Sequence, residues 1–379
     1  MGNDVEKESR EAMMLDSAAM YDRWKDVRQF AIFGFGHICK RSIEEAKKFA
    51  AVSAIYDNDA TLAGQVFHGV PIKPFDGAKR EEKVLIAAHY EAIKRQLEGC
   101  GLKEYEDFYA LDKYLSVMHW HRYGKIYASE LHMSITTKCT LQCKKCNMFM
   151  ANYEAPAHLD GDVIREDFAS LFSAVDYVET LALLGGEPFL YPDLGALITY
   201  LHDTYHEKYG VMELITNGTI LPDAALRKIL KEKKIFLRIS DYSAAIPYAE
   251  RLAALKATLD AEGIPYYSNQ SLTWLDFGFP DKPLHLPDDK VYQHMIECSP
   301  AFKGINDKKI YFCHVVWSAN RCGLYAEKET DAYPLGKGRS AELVDYLIGV
   351  MPVPVGLCQY CAGCSDKNKS VIPIAEQKR

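Results

Sequence analysis

Apolar runs alternate with amphipathic helical stretches over most of the chain. In the first third, the apolar run "RQFAIFGFG" leads into the helical stretch "CKRSIEEAKKFA" and then into the strand-like "VSAIYDND". A second apolar run, "KVLIAAH", precedes "YEAIKRQLEGCG", in which Ile93 and Leu97 lie one helical turn apart on the same face. Strands that alternate with helices pair in parallel. The pattern therefore predicts a parallel-sheet domain over residues 27–122, after a tail or a helix at 1–26.

The same alternation continues with longer elements from about residue 125. Four strand-like runs, "ASELHMSIT", "YVETLALLGGEP", "VMELITNG" and "IFLRISDYS", are separated by helical stretches. One of these stretches, "DLGALITYLHD", places Leu194, Leu197, Ile198 and Leu201 on one face. Alternating elements of this length predict a second parallel sheet, curved into a barrel or part of one, over residues 123–283.

Residues that can carry chemistry follow directly after these four strands. Active sites of parallel barrels lie at the carboxyl ends of the strands. We therefore expect one site at that end, built from Cys139, Cys143 and Cys146 after the first strand, Gly185-Gly186-Glu187-Pro188 after the second, Asn217-Gly218 after the third and Ser240-Asp241 after the fourth.

Composition restricts the partners of the chain. Its 379 residues are 48% apolar, enough for large buried cores, and the formal charge of −7 offers no attraction to nucleic acid. The N-terminal residues lack the apolar core of a signal peptide, and no later segment reaches the roughly 20 apolar residues that span a bilayer. We therefore expect no nucleic-acid or membrane partner and a cytoplasmic location.

The cysteines are clustered, and the expected cytoplasmic location determines how these clusters are interpreted. Because a reducing cytosol disfavours disulfides, clustered thiols there bind metals or carry redox chemistry. The run "ITTKCTLQCKKCNMF" has the spacing Cys-x3-Cys-x2-Cys, which suits an iron-sulfur cluster or part of a zinc site. Cys39 and Cys100 stand apart from the clusters, and we expect both to be buried as small hydrophobic residues.

A glycine turn follows the first strand of the domain at 27–122. Gly34-x-Gly36 could seat a phosphate at the N-terminus of the next helix, and Asp57 lies where an acid would meet a ribose. Cys39 stands where the dinucleotide fingerprint has a third glycine, which argues against nicotinamide binding. Nucleotide or nucleotide-sugar binding and a purely structural or docking role both stay open.

Residues 125–283 resemble the radical S-adenosylmethionine (radical SAM) superfamily in the cysteine loop, the Gly-Gly-Glu-Pro motif and the runs "LITNGT" and "RISDYS". The resemblance implies a partial (β/α)6 TIM-like barrel and a 4Fe-4S cluster. Cys139, Cys143 and Cys146 would bind three irons, and S-adenosylmethionine (SAM) would bind the fourth. An electron from the cluster would then cleave SAM to a 5′-deoxyadenosyl radical. A three-cysteine site suits this chemistry because a cluster closed by four cysteines cannot coordinate a substrate.

The same resemblance implies the SAM contacts and the electron source. A flavodoxin- or ferredoxin-type protein is the implied reductant. Lys145 departs from the family, which usually has an aromatic residue before the last cysteine of the loop. The implied contacts are Gly185, Gly186 and Glu187 to the methionine amino group, and Asn217 and Ser240, with Arg238 as a further candidate, to the ribose and carboxylate.

After residue 283 the alternation gives way to cysteine-rich sequence. Residues 284–379 are similar to the auxiliary-cluster domains, called twitch or SPASM domains, of radical SAM enzymes, which implies a second 4Fe-4S cluster. A structural zinc site is the alternative, since Cys-x2-Cys pairs also suit tetrahedral zinc. Cys322 competes for a ligand position. The preferred ligands are Cys298, Cys313, Cys358 and Cys361, with Cys364 as the substitute.

These resemblances imply an enzyme that abstracts a hydrogen atom from a small polar substrate, a sugar or a nucleotide-linked sugar. The stretch "YDNDATLAGQVFHGVPI" resembles Rossmann-like domains found beside enzymes of bacterial polysaccharide pathways. Oxidation and epimerisation of the substrate both stay open, and in an epimerase Cys322 would return the hydrogen atom. Two alternatives remain. One is peptide modification, although the first 120 residues do not resemble a winged-helix peptide-recognition domain, and the other is a non-catalytic iron-sulfur electron carrier.

Overall fold

The computed structural model describes residues 15–78, 81–88, 90–278, 283–298, 303–365 and 367–378. The chain divides into two units, Met1–Ser129 with Arg339–Pro352 and Glu130–Gly338 with Val353–Arg379. The division into four segments proposed from the sequence stays a prediction. The predicted tail or helix at 1–26 contains a helix at Ser17–Trp24, and residues 1–14 lie outside the described residues.

Strands and helices alternate along the described residues. The strands are β1 Gln29–Phe33, β2 Ala51–Asp57, β3 Val66–Phe67, β4 Val70–Pro74, β5 Lys83–Ile86, β6 Phe108–Ala110, β7 Tyr127–Thr136, β8 Tyr177–Gly185, β9 Tyr209–Thr216, β10 Phe236–Asp241, β11 Tyr266–Gln270, β12 Thr273–Leu275, β13 Lys303–Asn306, β14 Lys309–Tyr311, β15 Ala332–Pro334 and β16 Val371–Pro373. The helices are α1 Ser17–Trp24, α2 His37–Lys47, α3 Tyr90–Gly99, α4 Leu111–Tyr123, α5 Gly161–Ala174, α6 Leu194–Tyr205, α7 Ala224–Glu232, α8 Ala249–Glu262, α9 Asp288–Cys298, α10 Val315–Arg321 and α11 Ala341–Ile348. None of the described helices is both long and apolar enough to cross a bilayer.

The first unit is built on a six-stranded sheet in the order β3-β4-β2-β1-β5-β6. Every neighbouring pair is parallel except the hairpin of β3 and β4, so the predicted parallel sheet is confirmed. Strands β1 and β5 lie inside this sheet and are buried along nearly their whole length, which is why they read as unbroken apolar runs. Helix α11 also belongs to this unit and packs on α1 and α4.

The glycine turn after β1 is packed against Ala88 and hydrogen-bonded to Asp57. Gly34 has a φ of +108°, and a Cβ there would lie 2.4 Å from the Cβ of Ala88. The Asp57 carboxylate accepts hydrogen bonds from the amides of Phe35 (2.7 Å) and Asp59 (2.8 Å). Because Asp57 already binds the turn and the loop after its own strand, these contacts support a structural role for this acid.

The two isolated cysteines differ in burial. Cys39 on α2 has no exposed surface, which confirms its predicted burial, and that burial raises the pKa of its thiol to about 12. Cys100 is partly exposed, and its sulfur lies 3.0 Å from the carbonyl oxygen of Gly77. The predicted burial of Cys100 is therefore wrong. Helix α3 ends at Gly99, so Cys100 falls in the following turn and not on the buried face of the helix.

The second unit is built on an eight-stranded sheet in the order β11-β10-β9-β8-β7-β13-β14-β15. Neighbouring strands from β8 to β11 pair in parallel, as do β7 and β13, whereas β14 is antiparallel to both of its neighbours. Helices α5 to α8 connect β7 to β11, so the predicted α/β class with a parallel sheet is confirmed. This connectivity places the ends of successive strands at a common edge of the sheet.

Two glycines hold the start of the cysteine loop against the end of β8. The amide of Gly186 donates to the carbonyl oxygen of Thr136, and the amide of Glu187 donates to that of Lys138, both at 2.8 Å. A Cβ on Gly185 would lie 2.1 Å from the Thr136 oxygen, and one on Gly186 would lie 2.0 Å from the Lys138 oxygen. A side chain at either position would displace backbone. The paired glycines therefore set the position of the loop that carries the three cysteines.

We expect Gly186→Ala to lower the free energy of unfolding by about 3 kcal/mol, because the added methyl group would overlap a backbone oxygen. Gly161→Ala is the matched control, since a Cβ there would reach only side-chain atoms, at 3.6 and 3.7 Å. We expect the control to change the free energy by less than about 0.5 kcal/mol. Urea denaturation followed by circular dichroism measures both variants, and equal stability of the two would contradict the close approach.

Candidate functional site

A cavity of about 470 Å³ lies at the ends of β7, β8, β9 and β10 in the second unit. Eight of the residues predicted from the sequence line it, although they come from four separate strand ends. Their convergence follows from the parallel arrangement, because each βα unit returns the chain to the same edge of the sheet. The eight are Cys139, Cys143, Cys146, Gly185, Gly186, Asn217, Arg238 and Ser240.

Of the three cysteines of the loop, Cys143 is buried, and Cys139 and Cys146 are partly buried. Burial raises the pKa of the Cys139 thiol to about 12 and that of the Cys143 thiol to about 11, and it raises the pKa of Cys146 as well. A buried thiolate is unfavourable unless a positive partner compensates its charge, and bound metal supplies that partner. Three such thiols on one cavity therefore fit the cluster that the resemblance implies.

The arrangement of donors bears on the kind of metal group. Within the described ranges, no three His, Cys, Asp or Glu side chains come close enough to hold a single metal ion. A 4Fe-4S cluster does not require such convergence, because each thiolate binds a different iron atom.

Asn217 connects the end of β9 to the cysteine loop. Its amide nitrogen lies 3.6 Å from the sulfur of Cys139 and donates to the hydroxyl of Thr140 at 3.0 Å. Its amide oxygen accepts from the backbone and the hydroxyl of Thr219. The side chain of Asn217 is therefore held at the cavity by neighbours on both sides.

Glu187 has no exposed surface and is not among the lining residues of the cavity. Its carboxylate accepts hydrogen bonds from the Thr216 hydroxyl (2.8 and 3.0 Å) and from the amides of Asn217 (2.9 Å) and Phe189 (3.1 Å). Burial raises the pKa of Glu187 to about 7, although these hydrogen bonds oppose the shift. The side chain therefore ties the end of β8 to the end of β9, and its contact with an ammonium group stays a prediction.

Two buried carboxylates hold Arg238 at the cavity. Its Nη2 lies 2.7 Å from Oε1 of Glu130 and 2.6 Å from Oε2 of Glu213. Glu130 also contacts Nε2 of His132 at 2.6 Å. Burial alone would raise the pKa of Glu130, but the hydrogen bond with His132 and the charge of Arg238 outweigh it and hold the pKa well below its usual value. Arg238 is therefore part of a charged network, and its contact with SAM stays a prediction.

The sequence analysis missed several residues that line the cavity. His132 and His314 have ring centroids 5.2 Å apart and both are buried, and Trp274 comes from β12. A signal for His132 existed, because Glu130, His132 and Ser134 alternate with apolar residues along β7 and share one buried face. His314 and Trp274 had no such signal, since only long-range packing brings them to the cavity.

Lys145, the departure from the family pattern, also lines the cavity. Its ammonium group lies 3.8 Å from the carboxylate of Asp276. Aromatic surface comes from other elements: Tyr242 and Trp274 pack edge to face with ring centroids 5.4 Å apart, and both line the cavity. The cavity thus obtains from later strands the aromatic surface that the loop lacks.

A smaller cavity, of about 60 Å³, is lined by five of the six cysteines that follow residue 283. The four preferred auxiliary ligands and the substitute all line it. Asn147 and Phe277 line this cavity and the larger one, so the two share a wall. The cysteines are Cys298, Cys313, Cys358, Cys361 and Cys364.

Cys298 and Cys364 form a close pair in this smaller cavity, with their sulfur atoms 3.2 Å apart. A hydrogen bond from the Cys364 thiol lowers the pKa of Cys298 and raises that of Cys364. Burial raises the pKa of Cys361 to about 12. The geometry therefore keeps Cys364 as a candidate ligand beside the other four.

Cys322 lines neither cavity. It follows α10, and its sulfur lies 3.5 Å from the carbonyl oxygen of Ala319. His314, which does line the larger cavity, precedes the same helix. A helical rise over the eight positions between them amounts to about 12 Å. Cys322 and the cavity therefore lie at opposite ends of α10.

Three solved structures are similar to parts of this chain. SuiB from Streptococcus suis, bound to S-adenosylmethionine, is 18% identical over 48% of this chain and 43% of its own, with a TM-score of 0.33. Native anSMEcpe, with bound AdoMet and the Cp18Cys peptide, is 18% identical over 38% of this chain and 44% of its own, with a TM-score of 0.30. BtrN, in complex with AdoMet and 2-DOIA, is 14% identical over 66% and 96%, with a TM-score of 0.42. The chain spans less than half of SuiB and of anSMEcpe.

No curated protein sequence matches the chain, whereas one family model matches part of it. Residues 133–240 match the family model of the Radical SAM superfamily. This range begins inside β7, includes the cysteine loop and the two glycines, and ends at Ser240. Since it contains all eight predicted residues that line the larger cavity, this chain contains a domain of the radical SAM superfamily.

Proposed function

We propose that this chain is a radical SAM enzyme that reductively cleaves SAM and abstracts a hydrogen atom from a small polar substrate. Members of this superfamily are enzymes that use a 4Fe-4S cluster and SAM. The observation that carries the proposal is one cavity in which three thiols meet the residues predicted to contact SAM. Cys139, Cys143 and Cys146 are the proposed ligands of the cluster.

When bound, the cluster supplies the electron that splits the sulfonium of SAM. The residues of the chain then have three tasks. Gly185 and Gly186 keep the cysteine loop at the cavity, and Asn217 and Ser240 orient SAM through polar atoms at the strand ends. Trp274 adds apolar surface to the wall of the cavity, which would limit the access of water to reactive species.

A few polar side chains in an otherwise mainly apolar lining support a hydroxylated substrate, a sugar or a nucleotide-linked sugar. Arg238, His132 and His314 line the cavity, and the first two belong to the network around Glu130. Hydroxyl groups replace the hydrogen bonds that water makes to such residues, whereas an apolar substrate would remove the water without replacing its bonds. A cavity of about 470 Å³ is also of the size that small-molecule sites have.

We expect the reduced, reconstituted protein to form 5′-deoxyadenosine from SAM, because its three loop thiols leave one iron of the cluster open to SAM. Cys143→Ala should reduce the product to background. Cys100→Ala, which removes a thiol from the first unit, is the matched control and should keep the wild-type amount. Chromatography with mass detection measures the nucleoside. Wild-type protein that forms no more of it than Cys143→Ala would favour the electron carrier.

We propose a second 4Fe-4S cluster on Cys298, Cys313, Cys358 and Cys361. The convergence of these thiols on one cavity supports it, and so does the wall of Asn147 and Phe277 that this cavity shares with the larger one. An auxiliary cluster next to the first site suits removal of an electron from a substrate radical. A structural zinc ion is the competing proposal.

Metal analysis after anaerobic reconstitution distinguishes the two proposals. We expect about eight irons per chain and no zinc, since two 4Fe-4S clusters hold that number. Cys361→Ala should lose half of the iron, whereas Cys364→Ala should keep all of it if Cys364 is the spare thiol. About four irons with about one zinc would instead assign the second site to zinc. If Cys364→Ala loses iron and Cys361→Ala keeps all of it, the fourth ligand is Cys364 and not Cys361.

We propose that the substrate is oxidised. An epimerase needs a hydrogen donor that faces the substrate, and Cys322, the residue predicted for that role, lines neither cavity. His314, which precedes α10 and so lies at the opposite end of this helix from Cys322, lines the larger cavity. Cys322 remains the donor to test under the epimerase alternative.

We expect Cys322→Ala to keep the wild-type yield of product, since the cysteine does not reach the cavity. A panel of sugars and nucleotide sugars, incubated in deuterium oxide and followed by mass spectrometry, provides the measurement. Oxidation removes two hydrogen atoms from the substrate, whereas epimerisation introduces deuterium at carbon and leaves the composition otherwise unchanged. Deuterated product that disappears in Cys322→Ala, while 5′-deoxyadenosine persists, would contradict oxidation.

The remaining parts of the proposal concern partners and the first unit. A flavodoxin- or ferredoxin-type reductant and a cytoplasmic location are proposed with the enzyme. The described part of the first unit has a mainly parallel sheet between helices, which does not favour the peptide-recognition alternative. For this unit we propose either nucleotide or nucleotide-sugar binding or a structural or docking role, and the contacts of Asp57 within the protein favour the structural role.

A further inference from the structure

A segment far along the chain lies against the cysteine loop. This covering segment, residues 371–378, begins with β16, which pairs with β12 of the cavity wall. It then runs antiparallel to the loop. The amide of Lys144 donates to the carbonyl oxygen of Glu376 at 2.8 Å, and the amide of Lys378 donates to that of Gln142 at 2.6 Å. These bonds place Gln377 directly opposite Cys143.

The side chain of Gln377 is oriented by three contacts. Its amide oxygen accepts a hydrogen bond from the backbone amide of Gln142 at 2.7 Å. Its amide nitrogen lies 3.2 Å from the sulfur of Cys143 and 2.6 Å from the carbonyl oxygen of Ala375. Because only the oxygen can accept from Gln142 and only the nitrogen can donate to Ala375, the amide has one consistent orientation. Gln377 therefore presents an N–H donor to the sulfur.

Apolar groups pack against the sulfur side of this contact, whereas Gln377 itself is partly exposed. Ile374 and Ala375 of the covering segment are 2% and 1% exposed, and they pack on Leu141 and Cys143 of the loop. Cys143 itself is 6% exposed. The sulfur is therefore largely shielded from solvent, and Gln377 is the side-chain amide that donates to it.

We propose that Gln377 is a positioning residue that raises the reduction potential of the loop cluster by donating a hydrogen bond to the sulfur of Cys143. This inference rests on the proposed function, because it requires the cluster. Reduction adds negative charge to a cluster and its thiolates, and a hydrogen bond to a ligand sulfur stabilises that charge. Gln377 lies 234 positions after Cys143 in the sequence. Docking of the covering segment on the loop is therefore coupled to the ease with which the loop cluster is reduced.

Two substitutions separate the hydrogen bond from the packing. Gln377→Leu keeps the approximate volume and removes both donor and acceptor. Gln377→Glu keeps an acceptor for the amide of Gln142, loses the donor and adds a negative charge near the sulfur. We expect the midpoint potential of the loop cluster to fall in both variants and to fall further in Gln377→Glu. The measurement is a redox titration of the reconstituted holoenzyme followed by electron paramagnetic resonance, with the loop cluster identified by the response of its signal to SAM.

A double variant provides the matched control. Lys144 and Glu376 form an ion pair across the same two segments, and Lys144→Met with Glu376→Met removes it without changing the net charge. We expect this variant to keep the wild-type potential. An unchanged potential in Gln377→Leu with full iron content would overturn the inference. So would an equal fall in the double variant, since loosening of the segment would then explain the effect.

The outcomes also separate this inference from the proposed function. If the wild-type protein binds no cluster that responds to SAM, the proposed function fails. If it binds one whose potential is the same with Gln377→Leu, only the role of Gln377 fails. Should Gln377→Leu not retain its iron, Gln377→Glu carries the test, because it preserves the acceptor that holds the covering segment to Gln142.

Discussion

The close contact between the backbone of Gly185-Gly186 and the cysteine loop is the constraint on which the site depends. The amides of Gly186 and Glu187 donate to the carbonyl oxygens of Thr136 and Lys138. A Cβ on either glycine would overlap one of these oxygens. The loop is thereby held to the end of β8, with its thiols at the cavity. Glu187 extends the same arrangement to β9, because its buried carboxylate binds the hydroxyl of Thr216 and the amide of Asn217.

Burial determines the electrostatics of the rest of the cavity. Thiols in apolar surroundings resist ionisation, so the loop favours an electropositive metal group over free thiolates. Arg238 is half-buried, and its positive charge balances the buried carboxylates of Glu130 and Glu213. The site therefore combines a place for metal with a charged surface that can bind a polar ligand, and both arise from groups that could not stay charged alone at that depth.

Long-range segments complete both cysteine groups. The covering segment and β12 form a separate two-stranded sheet beside the loop. Five of the six later cysteines come from α9, from the segment after β14 and from the stretch before β16, and they meet only at the smaller cavity. Asn147, which follows Cys146, lines both cavities. The two groups of thiols are thus neighbours through the fold although some 150 residues of sequence separate Cys146 from Cys298.

Local patterns in the sequence were sufficient for the α/β class, for seven of the fourteen described strands in the two large sheets and for eight residues of the larger cavity. They succeed because periodicity reports burial residue by residue, and because successive parallel strands end at one edge. They could not show that Glu187 binds protein groups, that Cys322 lies away from the cavity, or that Trp274, His314 and Gln377 reach the site. Those outcomes depend on contacts between residues far apart in the chain, which no local periodicity encodes, and the tertiary structure alone decides them.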